Sequence, residues 1–203
     1  MQTICIDIEF CGELPHQTYI WELAGVILSP PERRGEIFQS CVQMPFPVKQ
    51  WKGYPKVDKE FLRNQGARPL SHVLRDFFHW AGPSVLVSHG SFRSDKLVLE
   101  TACKRAGIRP RVWFVDSLYL LRDLYPGRNS YTLESFTGGT QHRALPDALQ
   151  LAHLLRYLPL PLPCPFGETP LRTIRGIGRQ TEALYNRMGL SSIESLRRSA
   201  QVH

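Results

Sequence analysis

Three apolar runs rich in β-branched residues open the chain, at residues 3–10, 20–29 and 35–44. The first alternates along its length, which predicts a strand with two distinct faces. Turn-forming residues at 12–17 and 30–35 separate the runs, so the three strands are expected to pair as antiparallel hairpins. The period then changes. Over 57–65 and 71–81 the apolar positions fall three and four apart, which predicts helices. A short apolar strand at 84–89 leads into an amphipathic helix over 94–107 that ends at Gly107. Another strand at 111–115 runs into a helix at 117–125, with Asp116 or Ser117 as its cap, then a short helix at 131–136 and a longer one at 144–158. Strands first, then strands alternating with helices, predict an α/β fold with a mixed sheet covered by helices.

Alternating prolines break this pattern at residues 159–170. They remove backbone donors and favour extended geometry, so the segment reads as a strap or linker. Three parts follow: a main domain over 1–158, the proline-rich linker 159–170, and a small helical tail over 171–203. With 203 residues, 42% of them hydrophobic, the chain can build one domain of roughly 100–200 residues plus an appendage. No stretch reaches the ~20 apolar residues of a membrane span. No basic region followed by an apolar run marks a secretory signal. The first strand starts almost at Met1, which suggests a compact small protein or an excised domain.

Net charge is +7, compatible with a polyanionic partner. Six arginines against two glutamates place +4 of this in residues 171–203. Five cysteines, none in a C-x-x-C pair, argue for reduced thiols in an intracellular, nuclear or cytosolic protein rather than a zinc site or a disulfide framework.

The chemistry lies in three short blocks: Asp7 and Glu9 in ICIDIEF, Asp95 in SHGSFRSDKLVL, and His142 with Asp147 in HRALPDALQL. Asp7 and Glu9 are two apart on a strand and share one face, while Ile6 and Ile8 point into a core. Two such carboxylates repel each other, and a cation removes that cost. Each block alone also has a plain explanation: a solvated strand face, an acid in a first helical turn, a surface histidine. Taken together, they offer hard oxygen ligands for divalent cations and a base whose usual pKa suits neutral pH.

In order and context the blocks resemble the three motifs of the DnaQ-like, or DEDD, 3′–5′ exonucleases. IDIEF matches D-x-E, SHGSFRSDKLVL looks like the second motif, and HRALPDA is similar to H-x4-D, the histidine-bearing DEDDh version. Arg143 stands where the tyrosine version needs Tyr, which excludes that subclass. WELAGVIL and FVDSLYLLRDLYPGRNSYTLESF fit the supporting stretches, so the resemblance covers about residues 1–158. It looks closest to the exonuclease-like domain at the end of the long promyelocytic leukaemia protein isoform and its free-standing relatives. One departure is Gly90, which stands where many members carry Asn, with a longer gap to Asp95.

The resemblance implies a ribonuclease H-like fold with a mixed five-stranded sheet and a helical tail, and two Mg²⁺ or Mn²⁺ ions held by Asp7, Glu9, Asp95 and Asp147. Asp7 would bridge both ions, Glu9 and Asp147 would bind the one carrying the attacking water, Asp95 would act mainly through the second, and His142 would take the proton. The product would be a 5′-mononucleotide cut from a 3′ end, DNA preferred. Phe10 and Cys11, just after D-x-E, fall where the family lines the pocket for the terminal nucleotide; Phe10 reads equally well as core. His89 falls at the end of the motif-two strand, as a site-shaping or a structural residue. The tail resembles a helix-hairpin-helix, with Gly176-Ile177-Gly178 as the hairpin. Glycines there let backbone amides approach a phosphate, and Arg175 and Arg179 add sequence-independent charge contacts; the other reading is a hairpin that only packs on the core. Two rival functions share these residues: a nucleic-acid-binding module with little catalysis, and an RNA 3′-trimming enzyme of the same fold.

Overall fold

The structure is a computed structural model that describes residues 1–12, 18–45, 57–139 and 142–201. Most of the turn expected at 12–17 lies outside these residues. Strand β1 (Gln2–Cys11) sits between β2 (Tyr19–Ser29), antiparallel to it, and β4 (Ser84–Ser88), parallel to it. On the β2 side follows β3 (Ile37–Cys41), antiparallel; on the β4 side follow β5 (Val112–Asp116), parallel, and the two-residue β6 (Cys164–Pro165), antiparallel. The order is β3-β2-β1-β4-β5-β6.

The sheet therefore has six strands among the described residues rather than the expected five. The extra strand lies inside the proline-rich segment. Cys164 and Pro165 pair with Phe114 and Trp113 at an edge, the position where a residue without an N–H is tolerated. Helix α3 (Asp95–Ala106) holds this segment from below. Its Glu100 accepts from the Gly167 amide at 2.8 Å and pairs with buried Lys96, whose ammonium lies 5.8 Å from the Phe114 ring centre.

The alternation of β1 sets the layers. Ile4, Ile6 and Ile8 face a core shared with α2 (Leu70–Ala81) and α3, where Val73, Leu74, Phe77, Val98 and Leu99 are buried. The odd positions face the other side. There Cys5 packs with Leu151 and Leu155 of α6 (Ala144–Leu155), and the same face continues into Asp7 and Glu9. Before α2 stands α1 (Lys59–Asn64), whose cap Asp58 accepts from the Phe61 amide at 2.8 Å. Between β5 and α6 come α4 (Ser117–Leu124) and α5 (Leu133–Thr137). No helix among the described residues is long and apolar enough to cross a membrane, and all five cysteines are free thiols.

The tail consists of a short 3-10 turn (Leu171–Thr173), α7 (Arg179–Arg187) and α8 (Ile193–Ala200). It is fastened at two places. Arg172 pairs with Asp123 of α4 at 2.6 Å and with Glu182 of α7. At the other, Glu194 of α8 accepts from the Thr169 amide at 2.7 Å, and Arg198 reaches Glu168 at 2.9 Å. The segment read as a linker is thus one of the surfaces on which the tail is tied.

Candidate active site

The carboxylates come together at the carboxyl ends of the central strands. Asp7 and Glu9 reach this place along β1, and Asp147 reaches it from the first turn of α6, which packs across β1 and β2. Oxygen atoms of Asp7, Glu9 and Asp147 lie within 4.8 Å of one another. Glu9 is 9% exposed and Asp147 6%. Packing α6 on the apolar stretch around Cys5 is what delivers Asp147, since Ala148, Leu151 and Leu155 of the same helix are buried.

Asp95 arrives by a different route. It is the first residue of α3 and is 5% exposed. The longer spacing after the motif-two histidine is taken up by a 3-10 turn over Ser91–Arg93. Gly90 opens that turn in the left-handed region, at φ 73°, where a side chain would strain the backbone. Asp116 pins the turn. One of its oxygens accepts from the Gly90 amide at 2.8 Å and from the Leu118 amide at 2.9 Å, and the other accepts from Phe92 at 3.1 Å. A single buried carboxylate thus caps α4 and fixes the approach to Asp95. In the sequence Asp116 reads only as one of two candidate caps of α4, beside Ser117.

The electrostatics register the crowding. Burial first, then Asp95, Glu9, Asp147 and Glu22, push the Asp7 carboxyl well above the usual carboxylate range. Burial, with Asp147 and Glu22 adding to it against the pull of Arg143, raises Glu9 to about 7. Asp95 is raised to about 7 by burial, with Asp116 and Glu9 adding and the Ser88 hydroxyl opposing. Protons relieve such a cluster at low pH. At neutral pH a hard divalent cation would do so, and an all-carboxylate donor set suits Mg²⁺ or Mn²⁺. Asp7, Glu9 and Asp147 could hold a metal ion in this arrangement.

His142 precedes α6 and is half-buried, with φ 50°, a left-handed conformation that His, Asn and Asp adopt more readily than most residues. Its neighbour Arg143 makes a bidentate pair with Glu22 of β2 through Nε at 2.8 Å and Nη2 at 2.7 Å. That pair ties the histidine segment to the strand beside Asp7 and Glu9. The sequence gives no sign of this pairing, because 121 residues separate its members.

Phe10 is half-buried and packs against the isoleucine-side core, beyond a register shift between Glu9 and Phe10; Cys11 is half-buried at the end of β1. His89 is a strut. Its Nε2 lies 2.7 Å from the Tyr131 carbonyl and must donate to it, so Nδ1 accepts from the Ser117 hydroxyl at 2.9 Å. Burial lowers its pKa, which keeps the ring neutral and leaves neither nitrogen for a nucleotide. Gly176, at φ 92°, and Gly178, the residue before α7, form the tail turn. Arg175 is exposed there, whereas Arg179 donates through Nη1 to the Asp123 carbonyl at 3.0 Å.

No family model matches the chain. In sequence it is similar to the PolC-type DNA polymerase III of Listeria innocua and of Listeria monocytogenes, at 29% identity over 164 residues in each case. That match takes in 75% of this chain and 11% of either polymerase, so the chain spans about a tenth of those relatives. In structure it is similar to E. coli exonuclease I, solved as a zinc-bound complex with single-stranded DNA, with a TM-score of 0.63 at 16% identity over 76% of this chain and 39% of that one. The complex of the same enzyme with a dA16 oligonucleotide gives 0.63 as well, over 76% and 40%. The fold is ribonuclease H-like and shared with E. coli exonuclease I. Within this ribonuclease H-like architecture, the carboxylate cluster lies where the mixed sheet changes from antiparallel to parallel pairing, at the ends of β1 and β4. Helices α7 and α8 lie C-terminal to this sheet.

Proposed function

We propose that the chain is a metal-dependent 3′–5′ exonuclease of the DEDDh type that hydrolyses DNA and releases 5′-mononucleotides. The observation that carries this reading is the meeting of Asp7, Glu9 and Asp147 within 4.8 Å, with buried Asp95 close enough to raise the Asp7 pKa. Acids buried at such mutual cost make sense as ligands. Two Mg²⁺ or Mn²⁺ ions held by the four acids would stabilise charge on the phosphoryl oxygens and make water a stronger nucleophile. Within the chain's own residues, His142 takes the proton of the attacking water, and the bond between phosphorus and the 3′ oxygen of the preceding nucleotide breaks. Similarity to a DNA polymerase III and to a DNA-bound exonuclease favours DNA as the substrate.

The direct test uses 5′-labelled single-stranded DNA, duplex DNA and RNA with Mg²⁺, with Mn²⁺ and with EDTA. A ladder shortening from the 3′ end, with mononucleotide as product, is expected on DNA with either metal and on nothing in EDTA. Equal release in EDTA overturns the reading. Faster trimming of RNA moves the substrate class, and DNA retention without release under every metal identifies a binding module.

The tail is proposed to contact the DNA backbone without regard to sequence. Exposed Arg175 at the Gly176–Gly178 turn and the +4 charge of residues 171–203 support this. Arg175→Glu is expected to weaken oligonucleotide binding and flatten its salt dependence by about one unit of log–log slope, since one phosphate contact is lost. An unchanged slope would leave the tail as packing only.

A further inference from the structure

Glu22 is an acid buried where another acid is least welcome. It sits on β2 in register with Glu9 of β1 and is 0% exposed. Four N–H donors converge on it: Arg143 Nε and Nη2, the Ala144 amide at 3.0 Å, and Gln39 Nε2 at 2.8 Å. The guanidinium of Arg143 also lies over the Phe61 ring, 5.4 Å from its centre. Burial pushes the Glu22 pKa up, yet the bonds from Arg143, Gln39 and Ala144 hold it below the ordinary range. Such a carboxylate stays ionised and fully paired.

The partners matter because of their place in the chain. Arg143 follows His142, and Ala144 starts α6. The Arg143 carbonyl accepts from the Asp147 amide at 3.2 Å, the first helical bond that places that acid. A fork of two parallel N–H bonds fixes direction as well as distance. Held by its side chain on Glu22, by its carbonyl on Asp147 and by the next amide on Glu22, residue 143 has its place set relative to β2. Its neighbours on either side are the candidate base and, four residues on, a candidate metal ligand.

We infer that Glu22 and Arg143 are positioning residues: their paired side chains set His142 and Asp147 against Asp7 and Glu9. The inference rests on the exonuclease reading for its kinetic part and not for its metal-binding part. Misplacement by about 1 Å can cost a reaction on the order of 10²-fold, so loss of the fork should act on turnover rather than on capture of the strand.

The test compares Glu22→Gln, Arg143→Lys and Arg143→Ala with the parent. Arg143→Lys keeps the charge but loses the fork and, at a half-buried site, is the variant that stays folded. Expected are a fall in kcat of roughly 10–100-fold, a KM for oligonucleotide within threefold, and Mn²⁺ binding, read by electron paramagnetic resonance, weakened at least fivefold. Guanidinium ions added to Arg143→Ala should not restore kcat, because a free cation neutralises Glu22 without holding the chain. Restoration by guanidinium would replace positioning by charge balance and overturn the inference. So would parent-like kcat and Mn²⁺ affinity in both Glu22→Gln and Arg143→Lys, or losses that track the melting temperature alone. If the parent releases no nucleotide, the exonuclease reading fails, while the Mn²⁺ comparison still decides the positioning role.

Discussion

Asp7→Asn is expected to lower nucleotide release by about 10³-fold or more and to make the protein more stable in EDTA. Both effects have one cause. Asp7 faces Asp95, Glu9, Asp147 and Glu22, so it is central both to any cation held there and to the repulsion when none is bound. The pH dependence follows from the raised carboxyls. Below about pH 3 the acids are protonated in folded and unfolded chains alike, and the cluster costs nothing. As the pH rises toward about 7, where Glu9 and Asp95 titrate in the folded protein, the unfolded chain loses its protons first. The folded state then binds more protons, so stability falls with rising pH and the full penalty stands above that range. In EDTA the parent's melting temperature should therefore drop between pH 5 and 8. Asp7→Asn should melt roughly 4–8 °C higher at pH 8, a shift matching about 2 kcal/mol, and with a shallower pH slope. Mn²⁺ should raise the parent far more than the variant. A variant that melts no higher than the parent at pH 8, with the same slope, would remove the acid cluster as the source of strain.

The second large effect concerns His142. Replacement by Asn is the informative change, because Asn accepts the left-handed backbone seen at φ 50° and carries no base. A kcat loss of about 10²–10⁴-fold is expected, the usual contribution of a positioned general base. KM for the oligonucleotide and the Mn²⁺-induced rise in melting temperature should stay close to the parent. Steady-state kinetics beside thermal denaturation check this. If His142→Asn loses Mn²⁺ binding together with turnover, the residue is holding the site and not moving a proton.

Much of this fold is legible because its rules are local. The alternation of Ile4, Ile6 and Ile8 with Asp7 and Glu9 already gives β1 two faces, and the structure puts core on one and acids on the other. Three successive strands predicted the hairpins that β1, β2 and β3 form. What escaped is non-local or small. Glu22 and Arg143 lie 121 residues apart, and an isolated Glu inside WELAGVIL carries no sign that an arginine far along the chain will meet it. Asp116 reads as a helix cap, and its two further amides, from Gly90 and Phe92, come from a turn that only folding brings near. The sixth strand is two residues long and lies among prolines, where propensity argues for no strand.

The central place of β1 also decides how the site can be lost. Bonded to β2 on one side and β4 on the other, with isoleucines fully buried beneath it, this strand belongs to the part of a domain that exposes its amides to exchange only in global unfolding. Hydrogen exchange at residues 4–8 should therefore report the free energy of the whole domain, and the outer tail helices should exchange sooner. Asp7 and Glu9 are built into this strand, so opening of the tail helices alone should leave these two acids in place.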